Sequence, residues 1–398
     1  MPTVPITPPM QLLLALCSTG RIDPVPLAAE LSEDDWQTCW TLAARHRVIP
    51  IITESLKQQP TIQVPDKIQT ALQQAAQHTA LKTLRNSAEL VRLTQQFGEH
   101  DIPFVTFKGI ALAQQMGLKP HQRHVGDIDV LLAHEQDVWR ADALIMAAGY
   151  QRNNPTADIL KSKQQTRHFI RHVKDFTYQH PDTSVRLELH YRLLPNAAMC
   201  DLPPEQIYQR HDVCRIGHTA VPCMSQADHQ LYLLLHGAIS HWFRLKWLSD
   251  VPAISQQGDA YRHPVFWQQA KSLGVERMVA LGLNLAHQLI DMPIPPPIAH
   301  YHTRQPVVQR LTEQARAALL RAKPMHADLR CYQDRMTWYF TYRTHHQLAL
   351  QQSLTYKIRW FGTYATDIED WQTLSLPDPL FFLYYPLRPF IWLYQQFK

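Results

Sequence analysis

The chain begins with a region in which apolar residues recur at helical spacing. From about residue 26 to residue 99 this period persists, and Ser32 precedes Asp34 and Asp35 as a helix-capping residue would. A long helix is predicted over residues 66–97, a segment that contains neither Gly nor Pro and is rich in Ala, Leu and Gln. We therefore expect residues 1–99 to form an N-terminal helical region.

Between residues 101 and 194 the hydrophobic period alternates between that of strands and that of helices. The apolar segments PFVTF, VGDIDVLL and SVRLELHYRL predict strands, whereas IALAQQMGL and EQDVWRADALIMAAGY predict helices that end near Gly117 and Gly149. The segment RHFIRHVKDFTYQ predicts a further strand, and the spacer HPDT predicts that it forms a hairpin with SVRLELHYRL. This alternation indicates a compact α/β core over residues 100–195.

Beyond residue 195 the helical period returns, which predicts a C-terminal helical domain over residues 196–398. Its last segment, LPDPLFFLYYPLRPFIWLYQQFK, is dense in aromatic residues and is interrupted by Pro386 and Pro389. Two interpretations fit this tail: it packs over a helical core, or it docks peripherally on a membrane surface or a partner. The predicted fold is thus an α/β or α+β core between two helical regions.

Composition narrows the class of protein. With 398 residues, the chain is long enough for two or three units that each bury a core. The formal net charge of +5 allows an anionic partner such as a nucleotide, but Lys and Arg are spread along the chain rather than grouped in blocks. The sequence therefore argues against a nucleic-acid partner.

The cysteine pattern and the N-terminus point to the cytoplasm. None of the six cysteines forms a C-x-x-C pair, which argues against a zinc ribbon and against a disulfide framework, so reduced thiols are expected. The apolar segment LLLALC near the N-terminus follows no basic residue, and no window reaches 18 uninterrupted apolar residues. Neither a secretory signal nor a membrane-spanning helix is expected.

Two acids interrupt the apolar segment VGDIDVLL. Side chains alternate between the faces of a strand, so Asp127 and Asp129 are expected to share one face while their apolar neighbours pack on the other. Two carboxylates on one face repel each other, and burying them without a partner is costly. We therefore expect a cation between them.

A third acid and a lysine-glycine turn extend this site. In SVRLELHYRL, apolar residues alternate with Arg186, Glu188 and His190, so a strand beside VGDIDVLL would bring Glu188 to the two aspartates. Three carboxylates on adjacent strands suit Mg²⁺, which takes oxygen ligands and shares them with phosphates. In TFKGIAL, Lys108 and Gly109 lie at a predicted strand-to-helix turn, where backbone N–H groups and a positive charge can bind phosphate.

These segments together resemble the nucleotidyltransferase superfamily, in which a glycine turn follows the first strand, two acids lie on the next strand and a third acid lies on a later strand. More narrowly, the chain is similar to poorly characterised bacterial nucleotidyltransferases with a lysine-glycine turn, here FKGIALAQQM, an arginine before the acids, here Arg123, and an E-x-H strand, here LELHYRL. HGAISHWFRLKWLSDV is similar to that family's downstream signature. The resemblance covers about residues 101–251.

The resemblance implies a mixed sheet flanked by helices and a two-metal reaction. A nucleoside monophosphate group would pass from a nucleoside triphosphate, with ATP as the expected nucleotide, to an acceptor hydroxyl, and pyrophosphate would leave. Asp127 and Asp129 would hold Mg²⁺ or Mn²⁺ against the triphosphate, and Glu188 would complete the second metal site and orient the acceptor. The acceptor itself is left open between a small molecule, a peptide and a protein.

The same resemblance assigns phosphate contacts to Lys108 and Gly109, and a charge-offsetting role toward pyrophosphate to Arg123. Two departures from the superfamily pattern bear on these roles. Ile110 follows the glycine where a serine is common, so a hydroxyl contact with phosphate is not expected, and the spacing from Gly109 to Asp127 is long, which implies a longer helix and loop.

Structural interpretations compete with each functional one. The two aspartates could form an ion-paired face, Glu188 could be a charge on an edge strand, and Arg123 could be a solvated loop residue. His190 could contact the cofactor or catalyse, or it could only hydrogen-bond Glu188. The cluster Trp242, Arg244, Trp247 and Asp250 could line an acceptor pocket, but a buried helix interface with an ion pair is the favoured interpretation. His236 and His241 lack a zinc-site spacing.

Three functions remain open from the sequence. The leading one is a Mg²⁺-dependent nucleotidyltransferase. The alternative is a non-catalytic nucleotide-binding protein of the same fold with a regulatory or assembly role, although the intact set of three acids favours the enzyme. An RNA-directed transferase would need a basic track with interleaved aromatic residues near the site, and the sequence does not contain one.

Overall fold

The computed structural model describes residues 4–156, 159–160, 162–321, 344–363, 365–366 and 368–396. The chain divides into two compact units, each made of three segments. The first unit comprises Met1–Ala88, Phe107–Gly126 and Cys223–Gln351, and the second comprises Glu89–Thr106, Asp127–Pro222 and Gln352–Lys398. The division into residues 1–99, 100–195 and 196–398 along the chain stays a prediction.

The helices and strands follow one another in an order close to the expected one. The helices of the described residues are α1 (Pro8–Leu16), α2 (Val25–Ala29), α3 (Glu33–His46), α4 (Ile49–Lys57), α5 (Asp66–Glu99), α6 (Gly109–Gln115), α7 (Val138–Ala147), α8 (Lys163–His172), α9 (Pro204–Gln209), α10 (Gln226–Ile239), α11 (Leu245–Ser255), α12 (Pro264–Ser272), α13 (Glu276–Ile290), α14 (Pro296–Arg304), α15 (Pro306–Leu320), α16 (His345–Leu350), α17 (Leu354–Thr363), α18 (Ile368–Thr373) and α19 (Tyr384–Gln396). The strands are β1 (Phe104–Phe107), β2 (Ile128–Leu132), β3 (Gln151–Asn154), β4 (Asp175–Gln179), β5 (Arg186–His190), β6 (Asp212–Ile216) and β7 (Thr219–Cys223).

The first unit is helical, and its only strand residues among those described are the last residue of β1 and the last residue of β7. Its helix α3 begins at the predicted cap, because the Ser32 hydroxyl accepts a hydrogen bond from the Asp35 N–H while the Asp35 carboxylate accepts one from the Ser32 N–H. A buried tryptophan fixes the interface of two further helices: a Cβ added at Gly237 of α10 or Gly282 of α13 would overlap the Trp242 ring. This confirms that Trp242 belongs to a buried helix interface.

The second unit contains a seven-stranded sheet in the order β3-β4-β5-β2-β1-β7-β6. Only the last residue of β1 and the last residue of β7 are assigned to the first unit. Strand β2 pairs with β5 in parallel, whereas β4 pairs antiparallel with β3 and with β5. Both β1 and β2 are buried throughout, as expected for strands near the centre of a sheet covered on both faces. The fold is therefore the predicted mixed sheet flanked by helices.

Two expectations about local structure are wrong. The segment RHFIRH is the end of helix α8 rather than part of a strand, because Ser162 caps that helix and accepts a hydrogen bond from the Gln165 N–H at 3.1 Å. Only DFTYQ forms β4, which pairs with β5 as the predicted hairpin requires. Residues beyond 195 also include strands: β6 and β7 meet at Gly217, whose φ of +60° suits a hairpin turn.

The aromatic tail forms a short 3-10 helix, Asp378–Leu383, and α19, within the second unit. One side packs inward, since Phe381 and Tyr384 are buried and Arg388 pairs with the buried Asp370. The other side leaves Phe382 and Phe390 largely exposed. The packed interpretation thus holds for one side of the tail, whereas peripheral docking stays a prediction, and Phe397 lies outside the described residues.

Two further expectations concern thiols and membranes. The described cysteines are buried, and burial raises the pKa of the Cys39 thiol to about 12, so this thiol stays protonated at neutral pH. Cys331 lies outside the described residues. Within the described part of the chain, every helix is too short or too polar to cross a bilayer.

Candidate active site

The sheet brings an acid of β2 and an acid of β5 together. In the parallel pairing of these strands, Asp129 lies opposite Glu188. Glu188 and His190 are two residues apart on β5 and so share a face of the sheet. The structure therefore places Asp129, Glu188 and His190 in one cluster.

The spacing within this cluster fits a metal site. The His190 Nε2 lies 3.3 Å from the Asp129 Oδ1 and 3.2 Å from the Glu188 Oε2. One ligand atom from each of the three residues lies within 4.8 Å of the other two. Ligands at right angles around an ion about 2.1 Å away are about 3 Å apart, which matches the two distances to His190. The donor set of two carboxylates and an imidazole suits Mn²⁺, and the carboxylates alone suit Mg²⁺.

The cluster is enclosed, and its residues differ in exposure. The His190 side chain is fully buried, the Asp129 side chain is 7% exposed and the Glu188 side chain is 23% exposed. Close carboxylates in such an environment need a positive charge beside them, such as a bound cation. Glu188 is the member of the cluster that solvent or a substrate reaches most easily.

The second nitrogen of His190 faces strand β4 and the residue before it. The His190 Nδ1 lies 3.6 Å from the Asp175 Oδ2 and 3.4 Å from the Lys174 Nζ, and these two neighbours also pair with each other. Asp175 lies directly opposite His190 in the antiparallel pairing of β4 and β5. Both residues can therefore fix the orientation of the imidazole ring.

Sequence reasoning missed Asp175 and Lys174, although a signal for them existed. Once KDFTYQ is expected to form a hairpin with the E-x-H strand, the acid at its start becomes a candidate partner for the histidine at the end of the other strand. Without the strand pairing, Asp175 is a single acid at the edge of an apolar segment, and nothing in the sequence identifies it as a site residue.

Asp127 lies directly before β2 and is half-buried. Its Oδ1 is 3.3 Å from the Nε of Arg186, which shares a face of β5 with Glu188. Asp127 and Glu188 are therefore on the same side of the sheet, as the alternation of VGDIDVLL predicts. The metal-compatible cluster itself consists of Asp129, Glu188 and His190, and Asp127 is paired with Arg186 beside it.

The lysine-glycine turn belongs to the first unit. Lys108 precedes helix α6 with a φ of +56°, a strained value for a residue other than glycine, and Gly109 follows with a φ of +41°. The Lys108 N–H donates to the Nε2 of His229 at 2.9 Å. The Lys108 ammonium lies 4.9 Å from the centre of the Phe107 ring and 5.5 Å from that of Tyr232, so it is held by cation–π contacts.

Arg123 also belongs to the first unit, and it is buried, so the interpretation as a solvated loop residue is wrong. Its guanidinium donates to both carboxylate oxygens of Asp250, at 2.8 and 2.7 Å, and to the Gly109 carbonyl at 3.3 Å. A buried ion pair is therefore present at Asp250, but its partner is Arg123, which lies outside the cluster singled out in the sequence. Contact of Arg123 with a phosphate stays a prediction.

The model of a family described as "uncharacterised nucleotidyltransferase" matches residues 32–291, and the chain belongs to this family. The matched residues contain each of the candidate site residues from Lys108 to His190. A search of curated proteins finds no match.

Proposed function

We propose that this protein is a metal-dependent nucleotidyltransferase. It transfers a nucleoside monophosphate group from a nucleoside triphosphate, with ATP as the expected nucleotide, to an acceptor hydroxyl, and pyrophosphate leaves. Family membership supports nucleotidyl transfer in general. The observation that carries the metal-dependent form is the cluster of Asp129, Glu188 and His190, whose ligand atoms are close enough to hold one ion.

Asp129 and Glu188 are the residues that would hold Mg²⁺ or Mn²⁺, and Asp127 would add a carboxylate on the same side of the sheet. The ion would neutralise charge on the phosphates and on the departing pyrophosphate. Without an ion, Arg186 offsets part of the repulsion among these carboxylates, and His190 lies within hydrogen-bond reach of the Asp129 and Glu188 carboxylates. The donor chemistry and the distances therefore fit the proposed cofactor.

Glu188 is the proposed acceptor of the proton from the attacking hydroxyl, because its side chain is the most exposed of the cluster. The new bond forms between the acceptor oxygen and the α-phosphorus, and the bond between the α-phosphorus and the pyrophosphate oxygen breaks. His190 is fully buried, so its proposed role is to position Glu188 and Asp129. Asp175 and Lys174 would hold the ring from behind.

In the first unit, Lys108 and Gly109 are proposed phosphate contacts. The strained backbone at Lys108 supports this role, because strained conformations are retained where function requires them. Arg123 would act indirectly, since its bond to the Gly109 carbonyl stabilises the turn.

A second candidate function is a nucleotide-binding regulatory or assembly protein that does not turn over. The observation in its favour is that His190 lies within hydrogen-bond reach of both Asp129 and Glu188, so each carboxylate has a partner from the protein without a metal. Such a protein would bind a nucleotide but would release no pyrophosphate.

The test combines each nucleoside triphosphate, labelled at the α-phosphate, with the full-length protein, Mg²⁺ or Mn²⁺, and a lysate of the native host. Label transfer is followed by mass spectrometry, and pyrophosphate is measured separately. Transfer that is lost in Glu188→Gln and retained in Glu205→Gln, the same change at an exposed residue of the second unit, supports the proposal. Nucleotide binding without pyrophosphate release would instead favour the regulatory function.

A further inference from the structure

Basic residues from separate segments of the first unit gather around His124. Arg47 follows helix α3, Lys82 lies on α5 and Lys246 lies on α11, while Arg123 is the neighbour of His124 in the chain. Arg47, Lys82, His124 and Lys246 are all partly buried.

Helix α5 approaches the segment that contains His124. The Asn86 side chain donates a hydrogen bond to the Gly126 carbonyl at 3.5 Å. Lys82 is four residues before Asn86, so both lie on the same side of α5. Lys82 therefore faces the 123–126 segment.

The end of α3 approaches the start of α11 through a second hydrogen bond. The Leu245 N–H donates to the Nδ1 of the buried His46 at 3.0 Å. Arg47 and Lys246 each follow directly after one of these bonded residues, so the two cations are brought to the same place in the first unit.

The charges of these residues act on His124. Burial is the main cause, followed by the positive charges of Lys246, Arg47, Lys82 and Arg123, and together they lower the pKa of His124 to about 3. Arg123 is compensated by Asp250. Within the ranges that the structure describes, neither Arg47 nor Lys82 forms an ion pair with an acid. The cluster therefore has an excess of positive charge.

Two further features indicate room for a ligand. A Cβ added to Gly126 would meet no atom within 4 Å, so there is open space beside the Gly126 backbone. The Thr83 hydroxyl is buried and has no hydrogen-bond partner among the described residues. Thr83 is adjacent to Lys82 and three residues before Asn86, on the side of α5 that approaches Gly126.

We propose that Arg47, Lys82 and Lys246, together with the Thr83 hydroxyl, form a binding site for phosphate groups. Phosphate fits because it accepts several hydrogen bonds at once and offsets the repulsion among the cations. The phosphate could come from the triphosphate of a nucleotide or from a phosphorylated acceptor. The inference does not rest on the proposed transfer reaction, because the site contains none of the metal-compatible residues.

Calorimetry with inorganic triphosphate in a metal-chelating buffer tests the site. Wild type should bind, with an affinity that falls as salt rises. Lys82→Gln and Arg47→Gln should each weaken binding by about tenfold, the effect of losing one charge-assisted hydrogen bond. Lys67→Gln, the same change at an exposed lysine of α5, should bind like wild type. The melting temperature of wild type should rise with triphosphate, and less so in the two site variants.

Absence of binding to wild type overturns the inference, as does equal binding by wild type, Lys82→Gln and Arg47→Gln. An equal loss in Lys67→Gln would show that only general surface charge is involved, which also overturns it. Displacement of triphosphate by metal-free ATP identifies the nucleotide as the source of the phosphate. Displacement by phosphate monoesters and not by ATP identifies a phosphorylated acceptor, and both displacement results support the site.

Discussion

The acidic cluster of the second unit and the basic cluster of the first unit differ in how far the protein itself pairs their charges. Asp129 and Glu188 share His190 as a neighbour within hydrogen-bond reach, and Asp127 pairs with Arg186, so the fold supplies partners for the acids. In the basic cluster around His124, Arg123 pairs with Asp250, but Arg47 and Lys82 have no acidic partner among the described residues.

This difference predicts different behaviour without ligands. We expect the acidic cluster to fold without a metal, because His190 lies within hydrogen-bond reach of both Asp129 and Glu188. The basic cluster depends on an external anion to relieve its repulsion. Of the ligands that could bind the first unit, anions should therefore stabilise it most.

The largest expected loss of stability is at Arg123, a cation of the basic cluster that pairs with a buried acid. Arg123→Ala leaves the buried Asp250 carboxylate without its partner, and we expect the free energy of unfolding to fall by about 3 to 5 kcal/mol. Urea unfolding measures this change. The double variant Arg123→Met with Asp250→Leu should regain most of the loss, and a single variant as stable as wild type would show that the pair is not needed.

A smaller effect is expected at Asp175, which positions His190 in the acidic cluster. Asp175→Asn should lower turnover by about 10- to 100-fold, as is typical for residues that orient a ligand or base. Because the role is indirect, the loss should appear in kcat and in the pH profile rather than in KM for the nucleotide. Asp182→Asn, at an exposed acid of the same unit, is the control. A change confined to KM would contradict the positioning role.

The smallest effect concerns acid sensitivity at His124. The pKa of His124 is about 3 in the folded protein, below the ordinary value of 6.5, so between these values only the unfolded chain binds the proton. Stability should therefore fall as pH drops from 6.5 toward 3, and His124→Gln should show a smaller fall. Urea unfolding at pH 7 and at pH 5 measures the difference. Bound triphosphate should also reduce the fall in wild type, because it offsets the positive charges; an unchanged fall in both cases would contradict this account.

A feature could be predicted from the sequence when the residues that determine it are close together along the chain. Ser32 and the alternation in VGDIDVLL act within a few residues, so the cap of α3 and the shared face of the acids were predictable. Asp175 required the register of a hairpin. The basic cluster required contacts among residues 47, 82, 124 and 246, which no local pattern reveals, so the same residues looked merely spread along the chain.

The wrong predictions have equally local causes. RHFIRH is rich in residues that fit a strand or a helix, and the cap at Ser162 decides for helix. Strand β6 is largely exposed, so its sequence lacks the apolar alternation that identifies half-buried strands. Its turn at Gly217 was the signal that could have revealed the hairpin.

The most direct test of the central claim is turnover and Mn²⁺ binding in Asp129→Asn, measured beside wild type and Asp182→Asn. Loss of one carboxylate ligand should weaken Mn²⁺ binding and lower the rate of pyrophosphate release by on the order of 10² to 10³. Circular dichroism should show that the variant remains folded, and Asp182→Asn should match wild type in both assays. Wild-type turnover and Mn²⁺ affinity in Asp129→Asn would contradict the account and leave the cluster as an ion-paired face of the sheet.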